Sequence, residues 1–320
     1  MGFPNCSAPD TMVDMAVGIL LGLECVLGLM GNAVALWTFF FRLRVWKPHA
    51  VYLFHLVLAD LLLAACLPFL AAFHLNHRAW GLGYATCRAL RFLLDLSHGV
   101  GVVFLAAVAL DRYLHVVHPR LKVNLLSSRA AQGLSVLVWL LAGTLTLPGL
   151  LGISEAAQDF PECSSFYPRA EGSLSATWQE ALFFFQCGLP FGLILFCNAS
   201  LIRTLQRRLR DPEKQPKLHR AKALVTVVVV LFALCFLPGF LARALTHVLW
   251  GLGSCGSLRV MMHALDITGS LAYLHGVLDP VVYCFSNPTF RHSYRKVLST
   301  LRGRRKAAEP PCFNLRDSSS

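Results

Sequence analysis

The chain has 320 residues, of which 56% are hydrophobic and 14% charged, and carries a formal net charge of +12. Soluble domains carry about 25% charged residues, so this composition excludes an ordinary water-soluble protein. The excess positive charge would suit nucleic acid, but its placement along the chain assigns it to membrane topology.

A hydrocarbon core about 30 Å thick needs roughly 20 apolar residues per helical crossing. Stretches of that kind fall at 15–41, 49–73, 86–112, 130–152, 178–204, 219–247 and 262–285, which predicts seven spans. The third is interrupted by Arg88, Arg91, Asp95 and His98, and the seventh by Asp266, His275 and Asp279. Ionisable groups at membrane depth face a bundle interior or a watery cavity and point to function.

Lys and Arg collect in cytoplasmic loops. The connections after spans one, three and five, together with the tail, hold 23 of the 29 basic residues. The N-terminus is therefore expected outside and the C-terminus in the cytosol, with the basic face against anionic inner-leaflet lipid. No basic n-region precedes the first apolar run, which is too long for a signal-peptide core, so span one is expected to act as its own insertion signal. Asn5-Cys6-Ser7 is a glycosylation sequon on the predicted outer side. The same pattern at Asn198-Ala199-Ser200 falls inside span five.

Cys25, Cys66, Cys187, Cys197, Cys235 and Cys284 fall within or at the ends of spans, where cysteine serves as a small packing residue. Cys6, Cys87, Cys163 and Cys255 lie in the oxidising compartment. Four cysteines allow three pairings; the expected one is Cys87 with Cys163 and Cys6 with Cys255. Cys312 is cytosolic and a candidate for palmitoylation.

Each span carries a residue that lipid would reject or a helix would bend around. These are Gly31-Asn32, Asp60 within Leu56-Val57-Leu58-Ala59-Asp60, Asp111-Arg112-Tyr113, Trp139, Pro190, Cys235-Phe236-Leu237-Pro238, and Asp279-Pro280-Val281-Val282-Tyr283. In this order they resemble the rhodopsin-like family of G-protein-coupled receptors over essentially the whole chain. The resemblance implies an all-α membrane protein: a seven-transmembrane-helix bundle with a short amphipathic eighth helix, and no enzymatic activity. The expected division is an extracellular N-terminus 1–14, a receptor domain 15–287, an amphipathic cytosolic helix 288–302 and a tail 303–320. Arg291, Arg295, Lys296, Arg302, Arg304 and Arg305 make that last helix basic on one face, suited to the inner leaflet.

Pro280 leaves one backbone carbonyl without its intrahelical donor, a group that bundle residues or trapped water can satisfy where lipid cannot. Asp279 is expected to face Asp60 across the bundle, sharing a cation or a proton. In the family this region resembles a sodium site; here Gly101 and Gly276 stand where hydroxyl ligands are expected and His275 where an amide is usual. No other cofactor is implied. By the same resemblance Asp111 restrains Arg112 at rest, and Arg112, Tyr113 and Tyr283 serve coupling to a heterotrimeric G protein of the inhibitory class. Lys217 and Leu218 stand where an acid would otherwise pair with Arg112 from span six.

A retinal protein needs a Schiff-base lysine in span seven, and none occurs from Val260 to Tyr294. An amine receptor needs an acid in the outer half of span three, where only Asp95 stands near. The outer half otherwise leans basic and aromatic, with His74, His77, Arg78, Arg88, Arg91, His98, Arg169, Arg243, His247, Arg259 and His263 against Asp95, Glu162, Glu171, Asp266 and few others, which suits a carboxylate. Charge-assisted bonds contribute about 1.5 to 3 kcal/mol each, against an association cost of at least about 4 kcal/mol. A two- or three-carbon acid would thus bind weakly, whereas a long acyl tail adds about 0.8 kcal/mol per buried methylene.

The segments Ala107-Arg120 (AVALDRYLHVVHPR), Glu162-Phe166 (ECSSF) and Thr268-Phe290 resemble the hydroxycarboxylic-acid and oxo-eicosanoid receptor branch. That branch holds its ligand carboxylate through positions matched here by His98, Ser165 and Tyr273, with Arg88 or Arg91 as substitutes for the arginine that His98 replaces. The expected ligand is a hydroxy fatty acid. The alternatives are a receptor for small carboxylates such as lactate or pyruvate, a proton sensor using His74, His77, His98, His247 and His263, and a carboxylate transporter, which would usually show an internal repeat.

Overall fold

The computed structural model describes residues 11–43, 46–118, 127–151, 181, 184–208, 215–250, 255–286 and 288–308. Among the described residues the regular structure is helical: α1 Thr11–Phe41, α2 Pro48–Leu75, α3 Tyr84–Val117, α4 Ser128–Leu151, α5 Leu189–Arg208, α6 Gln215–Trp250, α7 Cys255–Tyr273, α8 His275–Ser286 and α9 Pro288–Ala308. Five of these, α1 to α5, contain stretches long and apolar enough to cross a membrane, and α6 adds the shorter apolar run Phe232–Thr246.

The helices pack in chain order, α1 on α2, α2 on α3, and α6 on α7, while α3 also contacts α4 and α5 and so runs through the middle. Leu53, Leu56, Val57, Val100, Phe104 and Tyr283 are among the residues of the central apolar core, all fully enclosed. Leu23, Met30, Leu140, Leu141, Leu234 and Leu245 are exposed on the outside, the inverse of a soluble protein and the surface that acyl chains would cover. At a packing contact, Gly31 has no Cβ because one there would stand 2.8 Å from the Pro280 ring, so α1 and α8 meet at that point.

Pro68, Pro148, Pro238 and Pro280 lie inside helices, and the irregularities stand elsewhere. A single π turn, Phe184–Gly188, precedes Pro190, the kind of local widening by which a helix accommodates a missing donor. The predicted seventh span is broken at Leu274, between α7 and α8. Leu274 N–H donates to Leu271 O at 3.2 Å and Val277 N–H to Leu274 O at 3.0 Å, a tightened turn. Pro280 itself lies inside α8, six residues after that break.

α9 begins at Pro288 and continues to Ala308, beyond the predicted boundary at 302. It is fastened to the bundle by Phe290, wholly buried against Phe39 with ring centroids 4.9 Å apart. Tyr294 also holds it, donating to Gly31 O at 2.8 Å. Burial raises the Tyr294 phenol, which keeps it a neutral donor.

Candidate functional site

Three groups of polar side chains sit inside the helices. The deepest surrounds Asp60. Tyr283 donates its hydroxyl to Asp60 Oδ2 at 2.6 Å and lies 3.1 Å from Asn32 Oδ1. The Asn32 amide donates to Gly276 O at 2.8 Å and to Gly28 O at 3.0 Å. Gly276 is the residue four before Pro280, so its carbonyl is the one the proline deprives of a helical donor. Asn32, from another helix, fills that vacancy. Asp279 and His275 complete the group: one ligand atom each from Asp60, His275 and Asp279 lie within 4.8 Å of one another. All five side chains are buried.

Above it lies a floor of rings. His98 meets Tyr273 edge-on at 5.8 Å, His275 at 5.1 Å and Phe236 at 5.7 Å, measured between centroids. Phe236 also contacts His275 at 5.5 Å and stacks on Phe232 at 6.1 Å, seven residues short of Arg243 on the same helix. Asp95, Arg91, Arg243 and Glu24 all act electrostatically on Tyr273, Asp95 the most strongly, and Arg243 acts on His98 as well. Arg91, Asp95 and His98 follow a helical spacing that puts them on one face of α3. Arg91 donates from Nε to Asp95 Oδ2 at 2.7 Å, and Arg88 lies over the Tyr84 ring at 5.3 Å. Of the two arginines expected to relieve His98, Arg91 thus stands toward Tyr273, while Arg88 has an aromatic neighbour in the first turn of α3.

The outermost group is a clasp. Arg78 donates from Nε to both oxygens of Asp14 at 2.9 Å, and its Nη2 lies 2.7 Å from Asp14 Oδ1 and 2.8 Å from Asp266 Oδ2. His74 Nδ1 adds a contact to Asp14 at 3.2 Å. One guanidinium therefore joins α1, the end of α2, and α7. To reach them the chain after α2 turns through left-handed conformations at His77, φ 52°, and Arg78, φ 65°, which a residue with a Cβ adopts only when its surroundings repay it.

Toward the other end, Asp111 pairs with His115 at 3.4 Å, and Tyr113 lies 3.1 Å from His118 through its hydroxyl and packs against Phe196. Arg112 is largely withdrawn from the surface, within electrostatic reach of Asp111. Tyr283 is wholly enclosed and bonded to Asp60 and Asn32, because its phenol is the donor that the buried carboxylate needs. Pro238 lies inside α6 beside Phe236. Trp139 donates to His55 Nδ1 at 3.3 Å. Cys87 is disulfide-bonded and fully buried; Cys6, Cys163, Ser165, Asn5 and Cys312, and the side chain of Cys255, lie outside the described residues.

Sequence reading missed Glu24, Asp14 and Arg243 as site residues. Glu24 is buried in α1 with neither oxygen hydrogen-bonded among the described residues, and acts electrostatically on Tyr273. An acid inside a predicted span was the available signal. Asp14 fell just outside the predicted boundary of span one, and Arg243 was one of several outer cations with nothing to single it out. Among the outer histidines, His74 belongs to the clasp and His98 to the floor, while neither ring nitrogen of His263 has a hydrogen-bond partner among the described residues.

An apolar helical bundle built around an internal acid, a seventh span broken at Leu274 and an Asp-Arg-Tyr segment near the end of α3 defines a class of multi-pass receptor. Residues 31–283 match the model of the seven-transmembrane receptor (rhodopsin family), and the chain belongs to that family, as a receptor and not an enzyme. It is 71% identical over 320 residues to the human 12-(S)-hydroxy-5,8,10,14-eicosatetraenoic acid receptor, covering all of both chains. It is 61% identical to the mouse receptor of that name, over 99% of each chain, and 36% identical to the human oxoeicosanoid receptor 1, over 95% of this chain and 77% of the relative.

Proposed function

We propose that this receptor sits in the plasma membrane with its N-terminus outside and detects a long hydroxy fatty acid of the 12-hydroxyeicosatetraenoic type. It signals through a heterotrimeric G protein of the inhibitory class. α6 and the broken pair α7–α8 complete seven crossings, and α9 lies along the inner leaflet with its basic residues toward anionic lipid. The sequence identity to receptors named for that ligand supports the reading, and the observation that carries it is the ring floor. Tyr273 and His98 meet there with Arg91 and Arg243 acting from two different helices. A carboxylate entering from outside meets a phenol donor, an imidazole and two guanidinium groups; Ser165 is a further donor by resemblance.

Signal transfer follows from what the floor touches. His98 and Phe236 both contact His275, the first residue after the break in the seventh span. A ligand that draws Tyr273 outward shifts that turn, and with it the Asp60, Asp279 and Tyr283 group. Release of Tyr283 and Arg112 toward the cytosol then opens the G-protein cleft, with Asp111 and Tyr113 at its edge.

The test is a cyclic-AMP assay with long hydroxy acids and with lactate or pyruvate, comparing the wild type with Tyr273→Phe, Arg243→Ala and His98→Arg. The long acid is expected to suppress cyclic AMP, and loss of one charge-assisted bond at Arg243 to cost about 10- to 100-fold in potency. His98→Arg, which supplies a permanent charge, should strengthen the response. Equal potency for lactate, or no change in any variant, would overturn the assignment.

A further inference from the structure

Resting on the reading of Tyr273 as donor to the ligand carboxylate, we propose that Glu24 is a positioning residue for it: the Glu24 carboxyl holds the phenol in the ligand-free receptor and yields it when the ligand binds. Glu24 lies in α1 with 1% of its surface exposed, and neither of its oxygens has a hydrogen-bond partner among the described residues. A buried carboxyl left in that condition is costly. It marks the second position of a donor that can move.

Register identifies that donor. A Cβ at Gly31 would stand 2.8 Å from Pro280 Cγ, and one at Gly28 3.9 Å from Val277 Cγ2. The residue numbers rise together, so α1 and the seventh span run side by side in the same direction. One helical repeat of four residues further out, the next facing pair is Glu24 and Tyr273. The cluster of Leu21, Cys25, Leu67 and Leu94 surrounds this place, and Tyr273 packs against it. The other strong donor against the cluster, the Trp80 indole, is committed to Gly83 O at 2.8 Å, and thiols such as Cys25 donate weakly. Glu24 also acts electrostatically on Tyr273. The break at Leu274 directly follows Tyr273, which makes the pairing adjustable at this turn.

No cation pairs with Glu24 among the described residues, so in the apolar interior it is held as the neutral acid. Its carbonyl oxygen then accepts from the phenol O–H, one neutral group from another. A ligand carboxylate is the stronger acceptor, since charge-assisted hydrogen bonds are roughly twice as strong, and the phenol leaves Glu24 for it. In this structure the Tyr273 ring stands edge-on to His98 at 5.8 Å, the position that faces the ligand, and the Glu24 oxygens are unbonded. Glu24 thereby sets a threshold for recognition. An ester of the same fatty acid, a neutral acceptor, has no advantage over it.

Two readouts on the full-length receptor test the pair. Infrared difference spectra of the ligand-free receptor in detergent, with Glu24→Gln to assign the band, should show a protonated-carboxyl stretch that moves to higher frequency in Tyr273→Phe, because its carbonyl loses a donor. In the cyclic-AMP assay at matched surface expression, Glu24→Leu should raise the potency of a long hydroxy acid by roughly 3- to 10-fold, the worth of one net hydrogen bond. Glu24→Gln, which keeps a carbonyl acceptor, should stay near the wild type, and the gain should vanish when Glu24→Leu is combined with Tyr273→Phe. A packing role would give neither the rescue by Gln nor the dependence on Tyr273. If Glu24→Leu does not reach the surface, Glu24→Met takes its place. An unshifted band would overturn the pair in favour of a trapped water. Unchanged or lowered potency in Glu24→Leu, or a gain that persists without Tyr273, would overturn its role in recognition. If instead Tyr273 is not the ligand's donor, Tyr273→Phe alone leaves potency unchanged while the infrared shift remains, which overturns the release to ligand.

Discussion

The outer clasp and the inner acid group use the same chemistry to opposite ends. At the clasp, Asp14 is met by donors from Arg78 and His74, and Arg78 spends its remaining reach on Asp266; every charge has a partner. In the core, the acids Asp60 and Asp279 stand against each other, and His275 Nε2 has no hydrogen-bond partner among the described residues. A satisfied ion cluster has one low-energy arrangement, and an under-satisfied one has several that differ by little. The clasp therefore holds the outer ends of α1, α2 and α7 fixed, and the core is where the bundle can change its packing.

The sharpest way to break that contrast is to remove one charged side chain from each group. Asp279→Asn should abolish ligand-dependent suppression of cyclic AMP while the receptor still folds and reaches the cell surface, checked by surface labelling. Arg78→Ala should do the reverse, leaving signalling but lowering stability. It strands a buried carboxylate, an effect of about 3 to 5 kcal/mol for a fully enclosed pair, reduced here to about 2 to 4 kcal/mol because the guanidinium keeps 17% of its surface in solvent. Thermal unfolding in detergent reads it as a lowered midpoint.

Smaller effects sharpen the boundary between the regions. Tyr273→Phe removes one donor from the floor and should reduce potency by roughly 10-fold in the cyclic-AMP assay. Tyr294→Phe, which cuts the hydrogen bond from α9 to Gly31 O, should cost about 1 kcal/mol in unfolding measurements and leave potency unchanged.

Much of the architecture was legible because lipid imposes a harsh rule: each polar residue inside an apolar run must be excused by the interior. Asn32, Asp60, Asp279 and Tyr283 were found by that rule. The identity of their partners was not. That the Asn32 amide supplies the carbonyl orphaned by Pro280 depends on how α1 crosses α8, and that crossing is set by the missing Cβ of Gly31 against the proline ring. The break at Leu274 was hidden for a related reason. Proline advertises a kink locally, whereas the turn at Tyr273–His275 stands beside ring contacts among His98, Phe236 and His275, which involve three helices at once. The clasp escaped notice because Asp266 was read as an interruption of span seven, Arg78 as one of several outer cations, and Asp14 fell just outside span one; only their convergence makes them a lock.

The central claim is that ligand binding rearranges the core while the clasp stays still. Electron-spin distance measurements on the full-length receptor, with label pairs at the cytosolic ends of α3 and α6 and at the outer ends of α1 and α2, test it directly. Adding a long hydroxy acid should lengthen the cytosolic distance and leave the outer one unchanged, and should change neither distance in Asp279→Asn. An outer distance that shifts while the cytosolic pair stays fixed would contradict the account.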